Sequence, residues 1–168
     1  MKQTFKAFIF SCAAASSAFL PAQAMAEEPM AVNVARLSLD VTNRVAMGAI
    51  EACREKGIPV SVTVVDRNGI VQSQMRDTIA PPVSLSISQK KAYTAVMFNV
   101  KGSQLGDRAN SPLQTMGEDL AFMAGSTPIQ AGGKLYGAVG VSGAPDGMDD
   151  EACAIKGVEA VIDDLEMM

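Results

Sequence analysis

The sequence predicts an α+β fold, a single antiparallel sheet with helices packed on its faces. Three observations lead there. Residues 59–77 read as strand, tight turn and strand; residues 127–142 repeat that pattern around a glycine pair; and three amphipathic helical stretches surround the two blocks. Strands joined by short turns, with no helix between them, pair antiparallel, and the helices must then cover the sheet from outside.

Each element has a local cause. Ala35 to Lys56 is expected to be helical, because Leu37, Val41, Val45, Ala49 and then Ala52 or Cys53 recur at helical spacing and Gly57 supplies a stop. From Pro59 to Asp66 β-branched residues alternate with small polar ones, the mark of a strand. Asp66-Arg67-Asn68-Gly69 tolerates the backbone angles of a reversal, and Ile70 to Asp77 runs back. Pro81-Pro82 ends the sheet, Ser84 and Ser86 offer hydroxyls to a helix start, and that helix closes at Lys101-Gly102-Ser103. A polar connector, Leu105 to Ser111, leads to a short helix from Pro112 or Leu113 to Met123. Thr127–Gln130 and Lys134–Ser142 form a hairpin around Gly132-Gly133. Asp146 to Glu166 is the last helix, with Ile155, Val158, Ile162 and Leu165 as its expected inner stripe.

Residues 1–26 are expected to be a cleaved secretory signal peptide. Lys2 and Lys6 precede an apolar, small-residue run from Ala7 to Leu20, and Ala24-Met25-Ala26 is a small-x-small cleavage signature. Cleavage after Ala26 leaves residues 27–168 as one domain in the periplasm or outside the cell. It removes two lysines and no acid, moving the formal net charge from −4 to −6. Such an acidic chain, without clustered bases, argues against nucleic acid, whose phosphates must be neutralised. No second long apolar stretch follows, so no membrane span is expected in the mature chain. Cys53 and Cys153 remain, and two thiols in an oxidising compartment suggest a disulfide; two separate buried thiols are the competing reading. There is no histidine anywhere.

Four motifs in order resemble one family. They are Val64-Val65-Asp66-Arg67-Asn68-Gly69 with Arg76-Asp77; Ser88-x-x-Lys91-Ala92-x-Thr94-Ala95; Gly137-Ala138-Val139-Gly140-Val141-Ser142-Gly143; and Asp149-Asp150-Glu151-x-Cys153-Ala154. Together they resemble the GlcG/HbpS-type haem-binding family, related to the C-terminal domain of certain corrinoid adenosyltransferases. The resemblance spans about Leu37 to Leu165. It implies a profilin-like sheet of about five strands, homo-oligomers, and binding of haem or a related tetrapyrrole.

A binding surface can be placed on the second helix. Lys91 and Thr94 are three residues apart and therefore neighbours, flanked by Ile87 and Phe98. An apolar patch with cations beside it suits a porphyrin edge, and Lys90, Lys91, Arg76 and Arg108 are the candidate propionate partners. The resemblance points to a threonine hydroxyl as an iron contact, which falls on Thr94. Relatives that use histidine cannot be matched here, leaving Tyr93, Tyr136, Met97, Cys53 and Cys153 as other ligand types. The function expected is an exported haem- or tetrapyrrole-binding protein for sequestration, delivery or sensing. Two competing readings are an oligomeric accessory protein of a periplasmic oxidoreductase, and a small-molecule enzyme using Lys91 with Asp66 or Asp77 as acid–base groups.

Overall fold

The valine-rich run after Pro59 becomes the inner strand on which the fold is organised. In this computed structural model the described residues are 29–168. The expected signal peptide, residues 1–26, and its cleavage after Ala26 lie outside them. Val34–Met168 forms one unit. Its sheet contains β1 (Ser61–Asp66), β2 (Val71–Arg76), β3 (Ser126–Ala131) and β4 (Lys134–Ser142), in the order β2-β1-β4-β3 with every neighbouring pair antiparallel. The α+β fold is as expected, with four strands where the resemblance implied about five. No helix among the described residues is long and apolar enough to cross a membrane.

Helices α1 (Leu39–Glu55) and α4 (Gly147–Glu166) cover one face, and α2 (Val83–Phe98) covers the other. The alternation in β1 sorts the two interfaces, because successive side chains of a strand point to opposite faces. Val62 and Val64 join Val45, Ala49, Ile50, Val139, Val141 and Val161 in the large core beneath α1 and α4. Ser61 and Thr63 face α2, where their hydroxyls bond those of Ser84 at 2.7 Å and Ser88 at 2.8 Å. Only a small apolar cluster, Val65, Ala92, Ala95, Val96 and Ala138, completes that second interface. The polar members of the β1 pattern are therefore buried partners of a serine-rich helix, and every residue of β1 is buried.

Glycine in β4 lets α2 ride directly on the sheet. A Cβ at Gly140 would fall on the Ser88 carbonyl oxygen and the Ala92 nitrogen, both backbone atoms of α2. Gly140→Ala is expected to lift the helix and cost about 1–3 kcal/mol by overpacking, measured as a lowered urea midpoint. An unchanged midpoint would contradict this packing.

Several boundaries differ from expectation for local reasons. The Ser84 and Ser86 hydroxyls do not cap α2; they donate to the Pro81 and Val83 carbonyls, and the cap residue is Pro82. Asn99, in the left-handed region at φ 53°, ends α2 before Lys101. The expected polar connector is a 3-10 helix, Gly102–Asn110, and the helix expected to reach Met123 is only α3 (Leu113–Met116), because Gly117 is extended. In α4 the buried stripe is Cys153, Ala154, Gly157, Val161 and Leu165, with Val158 and Ile162 packed beside it and Ile155 outside the core. Small residues face inward because α1 crosses closely there: a Cβ at Gly157 would meet the Val45 carbonyl oxygen and Ala49. The same crossing brings Cys53 and Cys153 together, with sulfurs 2.04 Å apart in a disulfide.

At the end of α1, Arg54 grips Asp77 with two hydrogen bonds, Nε to Oδ2 at 2.8 Å and a terminal nitrogen to Oδ1 at 2.9 Å. Those bonds, helped by the Thr78 N–H, lower the Asp77 carboxyl to about 2. A carboxyl depressed in the folded state stabilises above its ordinary range and loses that contribution as pH falls through its folded value. Asp77→Asn is therefore expected to flatten the loss of stability between about pH 4 and pH 2, followed as urea midpoints across that range. An acid limb as steep as wild type would refute it.

Candidate ligand cleft

The first half of α2, the turn between β4 and α4, and the segment before β3 converge on one cleft of about 560 Å³. From α2 come Ile87, Lys90 and Lys91; from the β4–α4 turn Ala144, Pro145, Asp146 and Gly147; from the segment before β3 Ala121, Met123 and Ala124; Ser142 and Asp150 complete the lining. The walls are mainly apolar, and the size lies within the usual ~300–1,000 Å³ of small-molecule sites.

Lys91 and Asp150 form the floor. Both are buried, and the ammonium donates to Asp150 Oδ2 at 2.8 Å and to the Val141 carbonyl at 3.1 Å. The other carboxylate oxygen accepts from the Ala144 N–H at 2.9 Å, which ties the floor to the turn. Burial pushes the Asp150 carboxyl up from its ordinary value, against the lowering pull of the Lys91 ammonium and the Ala144 and Gly143 N–H groups. Gly125, at φ 121°, permits this arrangement, since a Cβ there would strike the Lys91 side chain. The floor is thus a closed ion pair, neutral as a unit, with its hydrogen-bonding groups directed into the protein.

The acidic run at the start of α4 divides in three directions. Asp149 pairs with Lys56 at 2.8 Å, and Asp150 with Lys91. Glu151, also buried, accepts from the Ser103 hydroxyl at 2.6 Å, the Ser103 N–H at 2.9 Å and the Gly125 N–H at 3.2 Å, fastening the 3-10 helix to the start of β3. Among the described residues no group of three or more His, Cys, Asp or Glu could hold a metal ion.

Of the residues singled out from sequence, Ile87, Lys90 and Lys91 reach the cleft. Lys90, half-buried, donates to the Glu118 carbonyl at 2.6 Å. Thr94 is buried behind the wall, its hydroxyl donating to the Lys90 carbonyl at 2.7 Å and accepting from the Ala121 N–H at 2.7 Å. Phe98 meets the edge of Phe122, centroids 5.4 Å apart, and carries the Arg108 guanidinium over its ring at 5.1 Å. Arg76 lies away from the cleft, bonded to the Ala80 carbonyl at 2.6 Å. Tyr93 lies against Gly69 at the β1–β2 turn, Met97 is exposed, and Tyr136, Cys53 and Cys153 belong to the core.

The pairing of Lys91 with Asp66 or Asp77 needs correction. Asp66 organises its turn, accepting from the Asn68 and Ile70 N–H groups and pairing with Arg36, while Asp77 is held by Arg54. The carboxylate at Lys91 is Asp150, 59 positions along the chain. One sequence signal pointed there: a lysine among the inward residues of α2 needs a buried acid, and the run 149–151 stands at the first turn of α4.

The family model described as "Haem degrading protein HbpS-like" matches residues 37–159. HbpS of Streptomyces reticuli, solved as a double mutant, is 34% identical with a TM-score of 0.74, over 84% of this chain and 98% of that one. PduOC, solved as a haem complex, is 25% identical with a TM-score of 0.70, over 75% and 95% respectively. An uncharacterized 15.0 kDa protein from the dhaT–dhaS intergenic region of Citrobacter freundii is 28% identical over 116 residues, 66% of this chain and 82% of that protein.

Proposed function

This chain belongs to the HbpS-like family, and on that premise we propose that its cleft binds haem or a related tetrapyrrole. The supporting observation is the cleft itself: about 560 Å³, walled by Ile87, Ala121, Met123, Ala124, Ala144 and Pro145, with Lys90 at its side bonded to the Glu118 carbonyl. Apolar walls accept the faces of a flat macrocycle, and an ammonium at the side accepts a propionate. The chemistry of the lining, apolar walls with an ammonium beside them, suits a porphyrin face and its carboxylates. The lining residues offer the iron no imidazole; the donors there are the Met123 thioether, the Ser142 hydroxyl, the Asp146 carboxylate that caps α4, and the Lys90, Lys91 and Asp150 groups already engaged.

Within this reading Lys90 is the propionate partner, exchanging the Glu118 carbonyl for a carboxylate. Ile87 packs on the ring, and Lys91 with Asp150 keeps the floor shut to water. Bound haem would supply iron-centred redox chemistry there. The leader expected at residues 1–26 extends the proposal to an exported, homo-oligomeric protein that sequesters, delivers or senses tetrapyrrole, with a periplasmic redox protein as a further partner.

Haem added to residues 27–168 is expected to give a saturable Soret shift near one equivalent per subunit or per subunit pair. Lys90→Met should weaken binding several-fold and reduce its salt dependence, because a propionate contact would be lost. A flat titration refutes the reading.

A further inference from the structure

We propose that residues 117–122 are a latched strap over α2, with Thr94 as the latch, and that a tetrapyrrole entering the cleft displaces it. This rests on the cleft being the tetrapyrrole site. Residues 90, 94 and 98 are spaced by four, so they form one line along the outer side of α2. Each is occupied by the strap: Lys90 donates to the Glu118 carbonyl at 2.6 Å, the Thr94 hydroxyl accepts from the Ala121 N–H at 2.7 Å, and Phe98 packs on Phe122 at 5.4 Å.

The strap has little else to hold it. Glu118 and Asp119 are exposed, Leu120 and Ala121 are half-buried, and Phe122 is its single buried apolar residue. The four-residue α3 before it buries no residue. The chain after it is fixed, since the Gly125 N–H bonds Glu151 and its carbonyl accepts from the Val141 N–H at 2.8 Å. A segment that follows an exposed α3, is anchored at Gly125 and is pinned between them by two hydrogen bonds and one aromatic contact is built to swing.

Ala121 is a wall of the present cleft, whereas Thr94 and Phe98 lie behind that wall. Moving the strap outward uncovers Thr94 and Phe98 and extends the α2 surface open to the cleft from Lys91 to Phe98, about 10 Å of helix. The ligand this suits is longer than the closed cleft, flat and apolar, with carboxylates at an edge near Lys90. Thr94 is then a positioning residue, setting the wall that decides how readily such a ligand enters.

The test uses metal-free protoporphyrin IX, so that no change can arise from a lost iron contact. Thr94→Val keeps the shape and removes the acceptor; Thr94→Ser restores it; Ala121→Pro deletes the same bond from the strap side. Amide exchange at Ala121 in the ligand-free protein should rise at least tenfold in Thr94→Val and stay near wild type in Thr94→Ser. Porphyrin association by stopped-flow fluorescence should accelerate about tenfold in Thr94→Val and Ala121→Pro, with Thr94→Ser like wild type. Unchanged Ala121 exchange in Thr94→Val, or unchanged or slower association in both latch variants, overturns the strap while leaving the cleft reading intact. Failure of the wild type to bind porphyrin or haem removes the cleft reading, and the strap with it.

Discussion

Replacing Cys53 and Cys153 together by alanine is expected to lower stability by about 4–5 kcal/mol, the loss of loop-closure restraint for a bridge spanning roughly 100 residues. The bridge joins α1 to α4, near the two ends of the described domain, so reduction frees almost the whole chain between them. Both cysteines are buried members of the large core, so the alanine pair also loses some packing. Net stabilities of single domains run ~5–15 kcal/mol, which makes the bridge a major share of the total. Urea unfolding of the oxidised wild type against the double variant measures it. A difference below about 1 kcal/mol would mean that the linkage contributes little.

Lys91→Met is expected to be nearly as damaging. It leaves Asp150 buried without its cation, and breaking one side of a buried pair costs about 3–5 kcal/mol. The double variant Lys91→Met with Asp150→Leu should recover most of that loss, because an apolar replacement of both partners removes the stranded charge. pH adds a second signature. Burial already pushes the Asp150 carboxyl up, and Lys91→Met removes the strongest opposing pull. A carboxyl raised in the folded state holds its proton more tightly there than in the unfolded chain. Its contribution is present below the ordinary carboxyl range and is lost as pH rises through the folded value. The single variant should therefore melt closer to wild type at pH 4 than at pH 7, and an equal deficit at both would contradict the assignment.

The sheet was legible in the sequence because its signals are local. Valine alternation, the Asp66–Gly69 reversal and the Gly132-Gly133 turn each act within a few residues, and all four strands fall within a residue or two of expectation. Boundaries set by tertiary contact were less legible. Ser84 reads as a helix cap, yet its hydroxyl meets that of Ser61 between α2 and the sheet. Ile155 reads as an inner residue by size, yet the close α1–α4 crossing turns Gly157 and Ala154 inward. The same division runs through the cleft. Helical spacing set Ile87, Lys90 and Lys91 along α2, and all three line the cleft. Periodicity carries no record of what covers a helix, so it could not show that Ala121 and Phe122 lie over Thr94 and Phe98. Nor could it pair Lys91 with Asp150, since that contact depends on how β4 and α4 fold back onto α2.

The cleft reading is tested most directly by a haem titration of wild type beside Ala144→Trp. Ala144 lines the cleft opposite α2, and its N–H bond to Asp150 does not involve its side chain, so an indole there fills the space while the ion-paired floor is kept. Wild type is expected to saturate with a Soret shift, and Ala144→Trp, with its melting temperature little changed, to bind at least tenfold more weakly. Equal affinity in the two proteins would place the tetrapyrrole elsewhere and contradict the account.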